Sequence, residues 1–192
     1  MTRMVLLGPP GAGKGTQAAR ICERLSIPAI STGDIFRANV SRGTELGERA
    51  RQYMDRGEYV PDSVTNAMVA ARLTEADAAR GFLLDGYPRT EAQVHELDAM
   101  LADSGLALDV VLEITADAEV VVDRLLRRAT EQNRADDTEP VIRRRLEVYA
   151  EATAPLASLY EDRGLLVRVD GTGDVDEVTE RIMTALASRT TA

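Results

Sequence analysis

Cysteine, histidine and lysine each occur once in the 192 residues, and tryptophan does not occur at all. Because Cys22 is the only cysteine, the chain can form no internal disulfide. One cysteine and one histidine are also too few for a cysteine/histidine zinc site. Aromatic residues make up only 4% of the chain and apolar residues 44%, so the core must be mainly aliphatic.

Long apolar runs are also missing from the chain. No stretch approaches the roughly 18 apolar residues that read as a membrane span. The run "MVLLG" near the N-terminus is too short for the hydrophobic region of a secretory signal, and it leads straight into glycines. We therefore expect a soluble, cytoplasmic protein without a membrane partner.

The net charge of the chain limits the kinds of partner that it can bind. A net charge of -9 lacks the basic footprint that non-specific nucleic-acid binding needs, so we expect no nucleic-acid partner. Small anions are still permitted, because a local basic pocket can form in an acidic protein. Of the 23 basic side chains, all but Lys14 are arginines. The single lysine reflects either a compositional bias together with chance, or a site that needs a compact ammonium which a planar guanidinium cannot replace.

Short apolar runs alternate with helical patterns along the chain. Strands are predicted at residues 3–8, 28–31, 82–86, 109–114 and 165–170. Helices are predicted at 13–25, 34–42, 44–56, 62–75, 90–103, 117–128, 140–162 and 174–188, with a polar loop at 129–138. Strands separated by helices predict a single α/β domain, in which a five-stranded parallel sheet carries helices on both faces.

The first strand is followed by "GPPGAGKGT", residues 8–16, which opens a helix. A strand, a glycine-rich turn and a helix N-terminus together form a phosphate-binding loop, in which main-chain N–H groups surround phosphate oxygens. The common pattern has Ser or Thr directly after the lysine, whereas here Gly15 follows Lys14 and Thr16 comes one place late. Bound phosphate implies Mg²⁺, held either mostly through water or by Thr16.

The third strand leads into "LLDGYPRTEAQ", residues 83–93. Ligands of open parallel sheets bind at the carboxyl ends of strands, which is where Asp85 and Arg89 fall. Asp85 fits either an outer-sphere Mg²⁺ ligand or a turn residue, and Arg89 either a phosphate clamp or a solvated loop residue. From local sequence, Gln93 is best explained by a T-x-x-Q capping box with Thr90.

Two further segments carry candidate residues. In "STGDIFR", residues 31–37, Thr32 and Arg37 either address a ligand from the same rim or are a helix cap and a solvent-facing charge. Arginines also flank the polar loop: Arg124, Arg127 and Arg128 before it, Arg134 within it, and Arg143, Arg144 and Arg145 after it. Since each helical residue turns by about 100°, consecutive arginines cannot all face one site. A hinged loop between basic helices suits a lid for phosphoryl transfer.

Together, "GPPGAGKGT", "STGDIFR", "GFLLDGYPRT" and "NRADDTEPVIRRR" resemble the adenylate kinase family in order and spacing, over roughly residues 3–180. The Gly-Lys-Gly-Thr order is a trait of that family. The resemblance implies a P-loop three-layer sandwich that transfers the terminal phosphoryl group of MgATP to AMP and yields two ADP. It implies a core of residues 1–30, 61–128 and 140–192, a helical AMP-binding insertion at 31–60, and a short lid at 129–139 without zinc.

The resemblance also assigns residues. ATP-binding residues would be Gly11, Ala12, Gly13, Lys14, Gly15, Thr16, Arg124, Arg128 and Gly173. AMP-binding residues would be Thr32, Arg37, Glu58, Tyr59, Val60, Gly86, Tyr87, Pro88, Arg89, Gln93, Arg134 and Arg145. The catalytic groups would be Lys14, Arg89, Arg128, Arg134 and Arg145, with Asp85 organising Mg²⁺ through water. The stretch "RRATEQNRADD" is a few residues longer than is usual for a short lid, so Arg127 is an alternative to Arg128.

Two other functions compete with this interpretation. A UMP/CMP kinase of the same fold tends to carry Ala at the position of Thr32 and Asn at that of Gln93, so both residues favour AMP. A non-catalytic ATP-binding switch would not need the second anion site around Arg89.

No general base is expected, because a phosphate monoester with a second pKa of about 6 is already mostly a dianion at neutral pH. His95 is therefore expected to be a surface residue, and the protein a monomer.

Overall fold

The computed structural model of the protein describes residues 2–131 and 138–190. Within them, five parallel strands form one sheet in the order β2-β3-β1-β4-β5. The strands are β1 (Thr2–Leu7), β2 (Ala29–Ser31), β3 (Gly81–Asp85), β4 (Val110–Thr115) and β5 (Leu166–Asp170). Because β1 lies between β3 and β4, the order reverses there, and ligands of such sheets bind beyond the carboxyl ends of the strands at this switch point.

Helices cover both faces of the sheet. They are α1 (Lys14–Leu25), α2 (Thr32–Arg42), α3 (Glu45–Met54), α4 (Asp62–Leu73), α5 (Glu91–Ala102), α6 (Ala118–Glu131), α7 (Glu139–Val148), α8 (Leu156–Asp162) and α9 (Val175–Thr190). Along β1, Val5 and Leu7 pack towards α4, α5 and α8, while Met4 and Leu6 pack towards α1 and α9. Burial on both faces explains the continuous apolar strands and confirms the three-layer α/β sandwich.

The segment 31–60 has a small apolar core of its own. Phe36 of α2, Ala50 of α3 and Val60 are all buried and pack together. This insertion leaves the sheet after β2 and returns through α4. The predicted run of helices between the second and third strands is thereby confirmed, while its separate role as a binding region stays a prediction.

Most of the predicted element boundaries agree with the structure to within two residues. One exception is α6, which continues to Glu131, so the start of the loop predicted at 129–138 is helical. Residues 76–80, which had no predicted element, form a 3-10 helix. Among the helices of the described ranges, none combines the length and the apolar character needed to cross a membrane.

The single helix predicted at 140–162 is wrong. The chain instead forms α7, a π-helical turn (Tyr149–Thr153) and α8. Pro155 explains the break, because proline has no N–H to donate and its ring clashes with the preceding turn. In the wider turn the N–H of Ala154 donates to the carbonyl of Tyr149 over 2.8 Å. The Thr153 side chain at its end is only 4% exposed.

Candidate active site

A cavity of about 670 Å³ lies at the carboxyl edge of the sheet. Residues of the predicted ATP-binding set and of the predicted AMP-binding set both line it. From the ATP side they include Gly11, Ala12, Gly13, Lys14, Gly15, Thr16, Arg124, Arg128 and Gly173. From the AMP side they include Thr32, Arg37, Glu58, Tyr59, Val60, Gly86, Pro88, Arg89, Gln93 and Arg145, with Asp85 between the two sets in the wall. One cavity therefore brings together nearly every residue that the motifs singled out.

The glycine loop turns between β1 and α1 through backbone conformations that suit glycine. Gly8 and Gly13 have φ angles of 146° and 93°. A Cβ atom on Gly8 would lie 2.5 Å from the carbonyl oxygen of Ile114 in β4, so the loop also depends on close approach to the sheet. Gly13 precedes the first residue of α1, where main-chain N–H groups and the helix dipole favour an anion.

The Lys14 ammonium is held by the loop itself. Its Nζ donates to the carbonyl oxygens of Gly8 at 2.7 Å and Pro9 at 2.9 Å. Lysine has three N–H donors, so one is left for a ligand oxygen. Burial lowers the pKa of Lys14 from 10.5 to about 8. The Asp85 carboxylate acts against this shift, whereas the positive charges of nearby arginines such as Arg89 add to it.

Asp85 ends β3 and pairs in register with Leu6 of β1, just before the glycine loop. It also pairs with Ser31 at the end of β2, so it stands between the loop and the segment that begins α2. In the part of the chain that the structure describes, no three His, Cys, Asp or Glu side chains come close enough to form a metal cage. A lone carboxylate fits Mg²⁺, which keeps several water ligands and is shared with phosphates. Thr16, the alternative ligand, is exposed in the first turn of α1.

At the other end of the cavity, the carbonyl of Gly86 joins two predicted AMP residues. It accepts a hydrogen bond from the Thr32 hydroxyl at 2.9 Å and another from Nε of Arg89 at 2.7 Å. The proposed cap at Thr32 is wrong, because Ser31 caps α2 by accepting from the N–H of Asp34. Thr32 thus ties the start of α2 to the loop after β3.

Arg89 is held in place from two sides. The Tyr59 ring lies under its guanidinium, 4.8 Å from the ring centroid, in a cation–π arrangement. The Thr153 hydroxyl donates to the main-chain carbonyl of Arg89 at 2.8 Å. Since that proton is committed, the Tyr59 hydroxyl donates to Thr153 Oγ1 at 2.7 Å. The three residues form one connected unit.

The capping interpretation of Gln93 is partly confirmed, while its role in binding AMP stays a prediction. Its N–H donates to the Thr90 hydroxyl, so Thr90 does cap α5. The Gln93 side chain does not complete the box at Thr90, however. It accepts from the N–H of Arg89 at 2.7 Å and donates to Asp62 at 2.7 Å. It also lines the cavity, although it is only 2% exposed.

Only some of the arginines around the polar loop line the cavity, as expected for neighbouring residues on a helix. Arg124 and Arg128, one turn apart on α6, line the cavity, whereas Arg127 is exposed. This arrangement favours Arg128 over the alternative Arg127. On α7, Arg145 lines the cavity. Its neighbours Arg143 and Arg144 instead pair with Glu139 and Glu147 on the outer face.

Two predicted site residues are not brought to the cavity wall by the described structure. Tyr87 is fully buried in the core, and its hydroxyl donates to Asn66 Oδ1 at 2.9 Å. Any contact between Tyr87 and a ligand would have to use its main chain. Arg134 lies outside the described residues. His95 is exposed on α5 near Glu91, as predicted.

Sequence reasoning missed Asp62 and Thr153, which hold Gln93 and Arg89, and also Tyr149, which lines the cavity beside Thr153. Pro155 was the only signal near Thr153, because a proline disrupts the preceding helical turn. Nothing in the local sequence distinguishes Asp62 from an ordinary acidic residue in the first turn of a helix.

The amino-acid sequence can be compared with those of proteins of known family. The sequence model of the adenylate kinase family matches residues 6–165. This chain belongs to the adenylate kinase family. It is 66% identical over 186 residues to an adenylate kinase of Kocuria rhizophila, an alignment covering 97% of this chain and 99% of that protein.

Other relatives agree with this assignment. An adenylate kinase of Thermobifida fusca is 63% identical over 97% of this chain and 99% of its own length. One of a Nocardioides species is 61% identical over 96% of each chain. The resemblance carried by the four motifs is confirmed, and so is the adenylate kinase fold. The glycine loop in which Thr16 comes one place late therefore belongs to a chain of the adenylate kinase family.

Proposed function

We propose that this protein transfers the terminal phosphoryl group of ATP to AMP, reversibly, and so produces two ADP. The observation that carries the proposal is that one cavity has a phosphate loop with Lys14 at one end and the Arg89 site at the other. Two anion sites facing one space suit a donor and an acceptor nucleotide, and the family named by the relatives agrees.

The glycine loop would hold the ATP phosphates through its main-chain N–H groups, with the third donor of Lys14 directed to them. Arg124, Arg128 and the main chain of Gly173 would complete this end. Arg37 and Arg89 would hold the AMP phosphate, and residues 58–60 would face the base together with Thr32 and Gln93. Arg145, and Arg134 from the predicted lid at 129–139, would reach the phosphoryl group in transfer.

Magnesium bound with ATP would supply positive charge to the phosphates. The fitting protein group is Asp85, which would organise the ion through water, as one carboxylate beside Lys14 allows. The chain's own cations would supply much of the remaining rate enhancement. They reduce repulsion between two polyanions and stabilise charge on the moving phosphoryl group.

No general base would be needed. The AMP phosphate, with a second pKa of about 6, is mostly a dianion near neutral pH and can attack without losing a proton. This agrees with the position of His95, which is exposed on α5. Exclusion of water when the predicted lid closes would protect ATP from hydrolysis.

Thr32 and Gln93, the two residues whose identity favours AMP over UMP or CMP by family resemblance, both line the acceptor end of the cavity. The insertion at 31–60 would act as the AMP-binding region, and the protein would work as a monomer in the cytoplasm.

A coupled assay of ADP formation tests the proposal, with MgATP as donor and AMP, UMP, CMP and GMP as acceptors. AMP is expected to give the highest kcat/KM. A faster reaction with UMP or CMP would overturn the assignment of AMP. Binding of ATP without any ADP formation would favour a nucleotide-sensing switch instead.

A further inference from the structure

The side-chain amide of Gln93 is fixed by two partners of opposite character. Its Oε1 accepts from the main-chain N–H of Arg89 at 2.7 Å. Its Nε2 donates to Oδ1 of Asp62, also at 2.7 Å. The other oxygen of Asp62 accepts from the Thr90 hydroxyl at 3.0 Å. Asp62 therefore accepts hydrogen bonds from both Thr90 and Gln93, the two residues that form the cap of α5.

These partners allow only one orientation of the amide. A main-chain N–H can only donate, and an ionised carboxylate can only accept. A reversed amide would place two donors together at Arg89 and two acceptors together at Asp62. An amide oxygen has two lone pairs and an amide nitrogen two protons, so each atom keeps one position for a ligand.

Asp62 also lies close in sequence to the wall that would face the base. It begins α4 two residues after Val60, which is buried and lines the cavity. Asp62 itself is absent from the cavity wall, whereas Gln93 is part of it. Asp62 therefore reaches the cavity wall through its hydrogen bond to Gln93.

We propose that Asp62 is a positioning residue that sets base specificity by locking the Gln93 amide in the orientation that serves adenine. This inference rests on the proposed function, with AMP as the acceptor nucleotide. Adenine presents an amino donor beside an unprotonated ring nitrogen. Hypoxanthine, with nearly the same shape, presents a carbonyl acceptor beside a protonated ring nitrogen. An amide of fixed orientation can pair with only one of these orders at a given base position.

The magnitude is expected to be large, because a buried polar group left without its partner strongly disfavours the wrong substrate. In the wild type, IMP should therefore be a far poorer acceptor than AMP. Removing the carboxylate of Asp62 frees the amide to turn, although Arg89 still holds its oxygen in part. The preference for AMP should then fall without being abolished.

The experiment compares kcat/KM for AMP and for IMP in the wild type and in Asp62→Ala. We expect the AMP:IMP ratio to fall by about tenfold or more, mainly through a higher KM for AMP with little change in kcat. In Asp62→Asn, an amide oxygen can still accept from Gln93 and an N–H can replace the contact to Thr90. That variant should keep a ratio within about threefold of the wild type.

Asp77→Ala is the matched control. Asp77 also accepts hydrogen bonds from a neighbouring side chain, that of Arg72 at the end of α4, but it does not line the cavity. It should leave the ratio unchanged. If Asp62→Ala fails to fold, Asp62→Ser carries the same expectation, because serine keeps a polar residue in the first turn of α4 but is too short to hold Gln93.

An unchanged ratio in Asp62→Ala would overturn the inference. So would an equal fall in Asp62→Asn, or the same fall in Asp77→Ala, because neither follows from amide orientation. Calorimetric binding of AMP and IMP to the same proteins keeps the two proposals separate. If the wild type makes no ADP, the proposed function fails, while the ratio of AMP and IMP affinities still decides the role of Asp62.

Discussion

At one end of the cavity, the proposed ligand-facing groups are mostly main-chain N–H groups of the glycine loop and the Lys14 ammonium, with Arg124 and Arg128 added from α6. At the other end, they are side chains that other side chains hold in place. Gln93 is held by a residue 31 positions away, Thr32 reaches Gly86 over 54 positions, and Thr153 reaches Arg89 over 64. The central part of the proposed ATP end, residues 8–16, is thus local in sequence, whereas the proposed AMP end exists only after distant segments have packed.

The two ends of the cavity also differ in the chemical selectivity that we expect of them. Main-chain N–H groups bind any phosphate of suitable size, which suits the common triphosphate of a donor nucleotide. Side-chain hydrogen bonds of fixed direction discriminate between bases, which suits the acceptor site. Substitutions at the ATP end are therefore expected to change catalysis or folding broadly, and those at the AMP end to change one substrate selectively.

The largest effect is expected from Lys14→Met, which removes the only ammonium while keeping a long side chain. The maximal rate should fall by more than about a hundredfold, because a preorganised cation at the transferring phosphates is lost. ADP formation under saturating MgATP and AMP measures it. Arg20→Met on the exposed side of α1 is the control, since Arg20 pairs with Asp176 on the surface. Near-normal turnover in Lys14→Met would refute the role of the lysine.

A smaller effect should come from the loop backbone. Gly8 and Gly13 both have positive φ, but only at Gly8 would a Cβ press on a carbonyl oxygen, at 2.5 Å. Gly13→Ala should lower the free energy of unfolding by about 1 kcal/mol, and Gly8→Ala by at least about 2 kcal/mol. Urea unfolding monitored by circular dichroism measures both values. Equal losses in the two variants would show that close approach to β4 contributes nothing.

The same contrast explains what could be predicted from the sequence. Strands, most helices and the glycine loop follow from apolar runs, glycine spacing and caps, all of which are local signals. At Thr32 and Gln93, local signals gave only a choice between capping and binding. The structure places Ser31 as the cap, which releases Thr32 for Gly86. Whether the individual site residues bind nucleotides stays a prediction.

Asp62 and Thr153 could not be predicted, because their partners lie on other elements. Asp62 reads as a favourable charge at a helix N-terminus, and Thr153 as the interior of a continuous helix. The π turn before Pro155 places Thr153 against Arg89, and neither the turn nor the contact follows from helical periodicity. Tertiary packing, not propensity, determined both positions.

Thr153→Val should weaken the AMP end while leaving the ATP end intact. The substitution keeps the shape but leaves the Arg89 carbonyl and the Tyr59 hydroxyl without their shared partner. We expect KM for AMP to rise by up to about thirtyfold, with KM for ATP unchanged, since the two lost bonds contribute about 1 kcal/mol each. Steady-state kinetics with each substrate varied in turn measures the split.

Two variants sharpen this test of Thr153. Thr153→Ser keeps the hydroxyl and should restore most of the AMP affinity. Tyr59→Phe keeps the ring under Arg89 and removes only the outer hydrogen bond, so its effect should be smaller than that of Thr153→Val. A parallel rise in both KM values in Thr153→Val would contradict the independence of the two ends.

The smallest predicted effect is a proton taken up at the ATP end. Burial lowers the pKa of Lys14 to about 8 in the free protein, so at pH 8 only about half of the molecules carry the ammonium. Bound phosphates favour the charged form and raise this pKa, so ATP binding must take up about half a proton at pH 8 and weaken as pH rises further. Calorimetry in two buffers of different ionisation enthalpy measures the uptake. Lys14→Met, which has no titrating group at this position, should show none, and equal uptake by this variant would place the titrating group elsewhere. A positive result would mark the ATP end as the one whose affinity depends on a single titrating side chain, in contrast to the AMP end, where hydrogen bonds between side chains hold the binding groups.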